Sequence, residues 1–408
     1  MNRPQSSIPR VSPASREYVR QVLDFGFHNT TSPGLAGRLE REFAARFGVR
    51  YGILHCNGTA TMHSCLLAAE VGVGDEVIVP ALTMASTAFV VLYVNAVPIF
   101  ADIDPETFTI NPEDIRRKIT PRTRAVIPVS LYGLPPDMDP IMALSRQHDL
   151  AVIEDNAQCF LGYYKGRIVG SIGQMSSFSF QGSKHMTCGD GGIVITDDEE
   201  LATRVRRAGV LGYSAISSEP GASSIPESLR CHPTFARHIA LGYNFRMPEI
   251  AAAVALGELE RLDELVEMRK AVARVFDEVV RSCPWLVPQK TPEGCVHTYW
   301  SYAARMTEDG PDWAEFRKKF VEFGGDGFYG CWLPVHKEPV FATLSERVAQ
   351  DPKRWPHYAG RLPDYREVTC PCAESIQPRL VQLKTNYFDL DTARRQSEIL
   401  DRAIRFFR

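Results

Sequence analysis

The stretch FSFQGSKHMTCGDGG, residues 178–192, starts as a strand, meets a single lysine among small and polar residues, and ends on two glycines. A strand of this kind belongs in a buried sheet, where a free ammonium such as that of Lys184 is costly unless it is paired or covalently changed. A Schiff base with an aldehyde cofactor removes that cost and leaves the amine useful as an acid and base once released. Ser179 before the lysine, and Gly191 and Gly192 after it, fit a tight loop around a phosphate. A surface lysine in a turn is the plain alternative for the stretch read alone.

Working outward, short β-rich runs alternate with helical segments from about residue 50 to 200: YGILHC, DEVIVP, VPIFADI, RAVIPVSLYG, AVIEDNA, MSSFSF and GGIVITDD. That alternation predicts an α/β fold with a largely parallel sheet covered on both faces. Ligands of such sheets bind at the carboxyl ends of the strands. Asp155 closes AVIED, Ser179 and Lys184 close SFSFQGSK, and Thr83 follows DEVIVP. After Arg246 the run PEIAAAVALGELERLDELVEMRKAVARVFDEVV reads as one long helix or two, bridging to a smaller α+β domain. The expected division is a large domain over residues 1–265 and a small C-terminal domain over 266–408.

Two further elements carry chemistry. In CNGTATMHSCLLAAE, residues 56–70, a strand ends and Gly58-Thr59 opens an apolar helix. The free N–H groups of such a helix start bind anions, although a simple helix cap explains the same residues. In AVIEDNAQCFLG, Glu154 and Asp155 end a buried-type strand, and Gln158 lies close enough to reach the same ligand. A carboxylate there is either structural or the partner of a protonated heterocyclic nitrogen.

The bulk numbers exclude several classes. A net charge of -3 gives no polybasic footprint for nucleic acid. Ten cysteines without a CxxC pair argue against a zinc ribbon or a thioredoxin motif, and no metal site is expected. The N-terminus lacks the apolar core of a signal peptide, and no run approaches the length that spans a bilayer, so a cytoplasmic protein with no membrane partner is expected. The sequons at Asn29 and Asn57 carry no meaning without export. GDGFYG, residues 325–330, matches GxGxxG but follows a helix-like segment instead of a strand, so it is not a dinucleotide fingerprint.

Helix-start phosphate site, then strand-end acid, then strand-end lysine about 30 residues later is the order of fold type I pyridoxal phosphate enzymes. More closely, the chain resembles the DegT/DnrJ/EryC1/StrS family of sugar aminotransferases over nearly its whole length. The matching elements include SPGLAGRLEREFAARFGVRYGILHCNGTATMHSCLLAAEVGVGDEVIVPALT, PIFADIDPETFTINPEDI, AVIEDNAQCFLGYYKG, SFSFQGSKHMTCGDGGIVITDD and GYNFRMPEIAAAVALGELERLD. The resemblance implies a fold type I PLP-dependent transferase with pyridoxal 5'-phosphate bound covalently to Lys184. It implies Asp155 as the partner of the ring nitrogen, Gln158 against the ring, and Gly58, Thr59 and Ser179 at the phosphate. Asn244, in GYNFRM, matches a position that reaches the phosphate of the neighbouring subunit, which implies a homodimer with shared active sites.

The chain departs from the family pattern in places. Met84 stands where members commonly stack an aromatic residue on the cofactor ring, and a thioether packs there without offset stacking. Asp190 takes the acidic place of the usual GEGG element, and Gln181-Gly182-Ser183 resembles the loop of members acting on carbocyclic ketones. Tyr299 and His336 fall in regions that contribute substrate contacts in the family, with a satisfied structural histidine as the alternative for His336. The resemblance implies transfer of an amino group from glutamate or glutamine to a nucleotide-linked keto-sugar or a keto-cyclitol. A deoxysugar dehydratase relative carries histidine at the lysine position, which Lys184 opposes, and a silent regulatory homologue is opposed by the joint presence of the site residues. A loop cluster of Arg230, His232, Arg237 and His238 is a candidate for a diphosphate pocket or a solvated surface.

Overall fold

Seven strands form the main sheet: β1 (Tyr51–His55), β2 (Glu76–Pro80), β3 (Val97–Ala101), β4 (Thr123–Val126), β5 (Ala151–Asp155), β6 (Met175–Ser179) and β7 (Gly192–Thr196). Their order across the sheet is β1-β7-β6-β5-β4-β2-β3. The computed structural model describes residues 7–25, 27, 34–220 and 225–408, so the sequon at 29–31 and residues 221–224 of the Ser/Pro/Gly loop lie outside the described residues. Pairings among β2, β3, β4, β5 and β6 are parallel, whereas β7 runs antiparallel to both β6 and β1. The sheet is therefore mostly parallel and mixed at one strand. Strands β1, β2, β6 and β7 are buried at every position, which is why they read as apolar runs without a solvent face.

Period-two alternation sets what each strand presents to the site. In β6 and the residue after it, Phe178 and Phe180 pack with Phe43, Phe47 and Phe160, while Ser177 and Ser179 point the other way. The same rule separates two adjacent carboxylates on β5. Glu154 accepts from the backbone N–H groups of Gly170 (2.9 Å), Ile172 (2.8 Å) and Gly173 (2.7 Å), and from Asn156 Nδ2 (3.2 Å). Its chemistry is spent on closing the 170–173 turn. Glu154→Ala leaves those buried donors unpaired, and we expect a loss of about 3 kcal/mol or more in urea unfolding. Asp155 faces the opposite way.

The bridging segment is two helices, Glu249–Leu259 and Leu262–Val280. Beyond them a second, antiparallel sheet pairs Ser301–Met306 with Leu286–Pro288 on one side and Leu380–Lys384 on the other. The terminal helix Leu390–Phe406 packs on Leu262–Val280. One continuous apolar cluster runs from Phe43 and Phe178 through Val272 and Phe276 to Leu400 and Ile404, so both sheets share a core. All ten cysteines are unpaired. Among the described residues no helix is long and apolar enough to cross a membrane.

Candidate active site

The carboxyl ends of the parallel strands open onto a cavity of about 410 Å³. Asn57, Gly58 and Thr59 line it after β1, Thr83 and Met84 after β2, Asp155 and Gln158 from β5, and Ser179 and Lys184 from β6 onward. Thus eight residues singled out from sequence converge: Gly58, Thr59, Thr83, Met84, Asp155, Gln158, Ser179 and Lys184. Asp190 and Gln181 also line the space.

One end of the cavity is built for an anion. Asn57 caps the helix Gly58–Ala68 by accepting from the Ala60 N–H at 2.8 Å. The N–H groups of Gly58 and Thr59, at the first two helical positions, have no intrahelical acceptor and sit at the positive end of the helix. Residue 58 must be glycine for steric reasons as well: a Cβ there would lie 2.8 Å from Ser179 Cβ.

The other end holds opposite charges. Asp155 is buried, accepting from the Thr87 hydroxyl at 3.0 Å and the Ala157 N–H at 3.2 Å. Burial raises its pKa, opposed by those two donors and by the charge of Lys184. Among the described residues the Lys184 amine has no hydrogen-bond partner, and it stands 4.7 Å from the centre of the Trp300 ring. Burial pulls its pKa down to about 8, with Asp155 opposing and Arg269 reinforcing the shift. Gln158 accepts from the Tyr132 N–H at 2.7 Å through Oε1, leaving its amide donors for the cavity. Met84 is half-exposed at the cavity wall, at 48%.

Two expected residues are not brought to this space. Tyr299 has a left-handed backbone, φ 50°, and stacks on His297 at 3.8 Å, so it is its neighbour Trp300 that reaches the cavity. His336 is buried, with Nε2 2.9 Å from Glu374 and its ring near Phe100, and it is a packed histidine outside the cavity. Asn244 is exposed and bridges to Val210, away from the cavity of its own chain. Arg230, His232, Arg237 and His238 are exposed and do not line the cavity either.

Residues not anticipated from sequence complete the walls. Trp300 and Trp332 form a stacked pair with ring centres 6.3 Å apart, shared with an adjoining cavity of about 470 Å³. Trp300 Nε1 donates to the Ser183 carbonyl at 2.9 Å, tying the wall to the lysine loop. Among the described residues no group of three His, Cys, Asp or Glu side chains is placed to hold a metal.

Comparison with known proteins agrees with this geometry. The model of the DegT/DnrJ/EryC1/StrS aminotransferase family matches residues 10–377. GDP-perosamine synthase of Escherichia coli O157:H7 is 34% identical, over 84% of this chain and 89% of that one. L-glutamine:2-deoxy-scyllo-inosose aminotransferase of Micromonospora echinospora is 36% identical, over 92% of this chain and 88% of that one. An aminotransferase structure from Psychrobacter cryohalolentis superposes with a TM-score of 0.83 at 27% identity, covering 98% of each chain. A family match across nine-tenths of the chain, on a fold type I framework whose strand ends gather an amine, a buried acid and an anion site, leads to one conclusion: the chain belongs to the DegT/DnrJ/EryC1/StrS family of pyridoxal phosphate-dependent aminotransferases.

Proposed function

We propose that the protein transfers an amino group from glutamine or glutamate to a keto-cyclitol, with a nucleotide-linked keto-sugar as the second reading. The observation that carries the choice is the charge of the cavity wall. Among the described residues lining it, Lys184 is the only cation, so with the helix start given to the cofactor phosphate this cavity itself offers a substrate diphosphate no further counter-charge, Arg269 and Lys384 standing in the adjoining cavity. The relative named for 2-deoxy-scyllo-inosose supports the cyclitol, and the relative named for GDP-perosamine supports the rival.

The site fits pyridoxal phosphate. Gly58, Thr59 and Ser179 would hold the phosphate, Asp155 the ring nitrogen, and Gln158 and Met84 the ring edge and face. When bound, the group supplies an electron sink for the carbon that loses a proton. Asp155 would keep the ring nitrogen charged, since among the described residues its buried carboxylate has no cationic partner at hydrogen-bonding distance. Lys184 would hold the group through Nζ and, with that amine free, would serve as the acid and base that carries the proton. Trp300 and Trp332 wall the amine off from water on the small-domain side.

In this reading the protein is a cytoplasmic homodimer in which Asn244 completes the partner's phosphate site. Support comes from the surface around Asn244, where Leu241 is 88% and Ile239 59% exposed, a pattern suited to a contact. We also place the division of domains at 265/266, in the first turn of the helix Leu262–Val280. Incubation with L-glutamine and either a free keto-cyclitol or a nucleotide-linked keto-sugar, followed by mass spectrometry, tests the acceptor. An aminated cyclitol is expected. An aminated nucleotide sugar with no cyclitol product overturns the choice.

A further inference from the structure

Arg269 lies on the helix Leu262–Val280 in the same stripe as Leu265, Val272 and Phe276, and it is 6% exposed. Among the described residues no carboxylate pairs with it. Its partners are oxygens of the lysine loop and the small-domain sheet. Nη2 donates to the carbonyls of Ser183 and Lys184, both at 2.7 Å. Nη1 donates to the Trp300 carbonyl at 2.8 Å and lies 3.3 Å from Thr385 Oγ1. Thr385 in turn donates to the Tyr299 and Trp300 carbonyls, and the Trp300 indole donates to Ser183.

A buried guanidinium without a counter-ion is costly, and it persists only where several acceptors need it. Here it clamps three segments: the loop carrying Lys184, the residue whose ring faces the Lys184 amine, and the end of strand Leu380–Lys384. We propose that Arg269 is a positioning residue for the transamination, fixing the Lys184 backbone and the Trp300 wall with one planar fork while presenting an uncompensated positive charge behind the amine. The proposal rests on the assignment of Lys184 given above.

Two consequences are separable. The fork holds the lysine backbone still while the side chain bonds and releases, which bears on rate. The charge acts on the amine, which also faces Asp155 from β5 and shares the cavity with Asp190. His185, next in the chain, is buried with its pKa well below the ordinary value, foremost by burial and then by Arg269, so it is neutral and does not offset that charge. Burial lowers the pKa of Arg269 itself, to about 9.

The test uses Arg269→Gln, which removes the charge, and Arg269→Lys, which loses the planar fork. The first readout is trace acetylation of Lys184 against pH in the full chain freed of cofactor, measured by peptide mass spectrometry. The parent midpoint is expected near 8. Arg269→Gln should raise it by about one unit. The second readout is the rate of the amino-donor half-reaction, which both variants should slow by about 10- to 100-fold. An Arg269→Gln midpoint equal to that of the parent, with only a lower melting temperature, overturns the charge role. Should that variant fail to fold, an Arg269→Lys protein with the parent's half-reaction rate overturns the fork role. Acetylation needs no cofactor, so failure of the cofactor assignment and failure of the Arg269 proposal give different results.

Discussion

Lys184→Ala should lower overall transamination by about four orders of magnitude and abolish the visible absorption of the lysine-bound cofactor. The expectation follows from an amine that has no hydrogen-bond partner among the described residues and is the one cation among those lining this cavity. Burial lowers its pKa to about 8, so the amine is mostly protonated below that pH and mostly neutral above it. Only the neutral amine attacks an aldehyde, so cofactor capture by the unloaded parent should accelerate as pH rises toward about 8 and then level off. Stopped-flow absorbance across pH measures this. Arginine does not rescue, because a guanidinium stays protonated throughout the range. The unloaded Lys184→Ala protein should melt no lower than the parent, since the substitution removes a desolvated charge and breaks no hydrogen bond. A variant that loses both activity and fold would assign the lysine a structural role instead.

Asp155→Asn should slow the amino-donor half-reaction by about 10²- to 10³-fold while leaving the fold intact. Asparagine matches aspartate in size; its Oδ1 can keep accepting from the Ala157 N–H, and its Nδ2 can donate to the Thr87 hydroxyl where Asp155 accepted from it. What it lacks is the charge. A neutral amide does not hold a proton on a ring nitrogen, so the ring accepts electrons less well. Glu154→Gln, one residue away, should leave the half-reaction within about threefold of the parent, because Glu154 serves the 170–173 backbone and not the cavity. The contrast between neighbours separates catalysis from packing, and single-turnover kinetics with each variant measures it.

Which of those two carboxylates faces the site follows from the family resemblance and not from the strand read alone. Both close the same apolar run, and the choice is made by three N–H groups from residues 170–173, contributed from 16 to 19 residues away. Lys184 and Gly58 were legible because a charge that ends a buried strand must be offset by a partner or a ligand, and a glycine between strand and helix leaves the helix start open to an anion. The direction of β7 was not, because a fully buried strand presents the same apolar run whichever way it pairs. The sequence points to Tyr299, but with a left-handed backbone at 299 that ring stacks on His297, and Trp300 lines the cavity instead. Arg269 did leave a signal, a charge inside an apolar helical stripe. Such a residue is either a solvated edge or a clamp, and only its carbonyl partners decide.

The most direct test of the central claim is the visible spectrum of the purified full chain after incubation with pyridoxal phosphate. The spectrum is recorded before and after L-glutamate, then L-glutamine, with Lys184→Ala as control. A yellow band that bleaches with one of the two donors and is absent from the variant is expected. A protein that stays colourless, or a band unchanged by either donor and by loss of Lys184, would contradict the assignment.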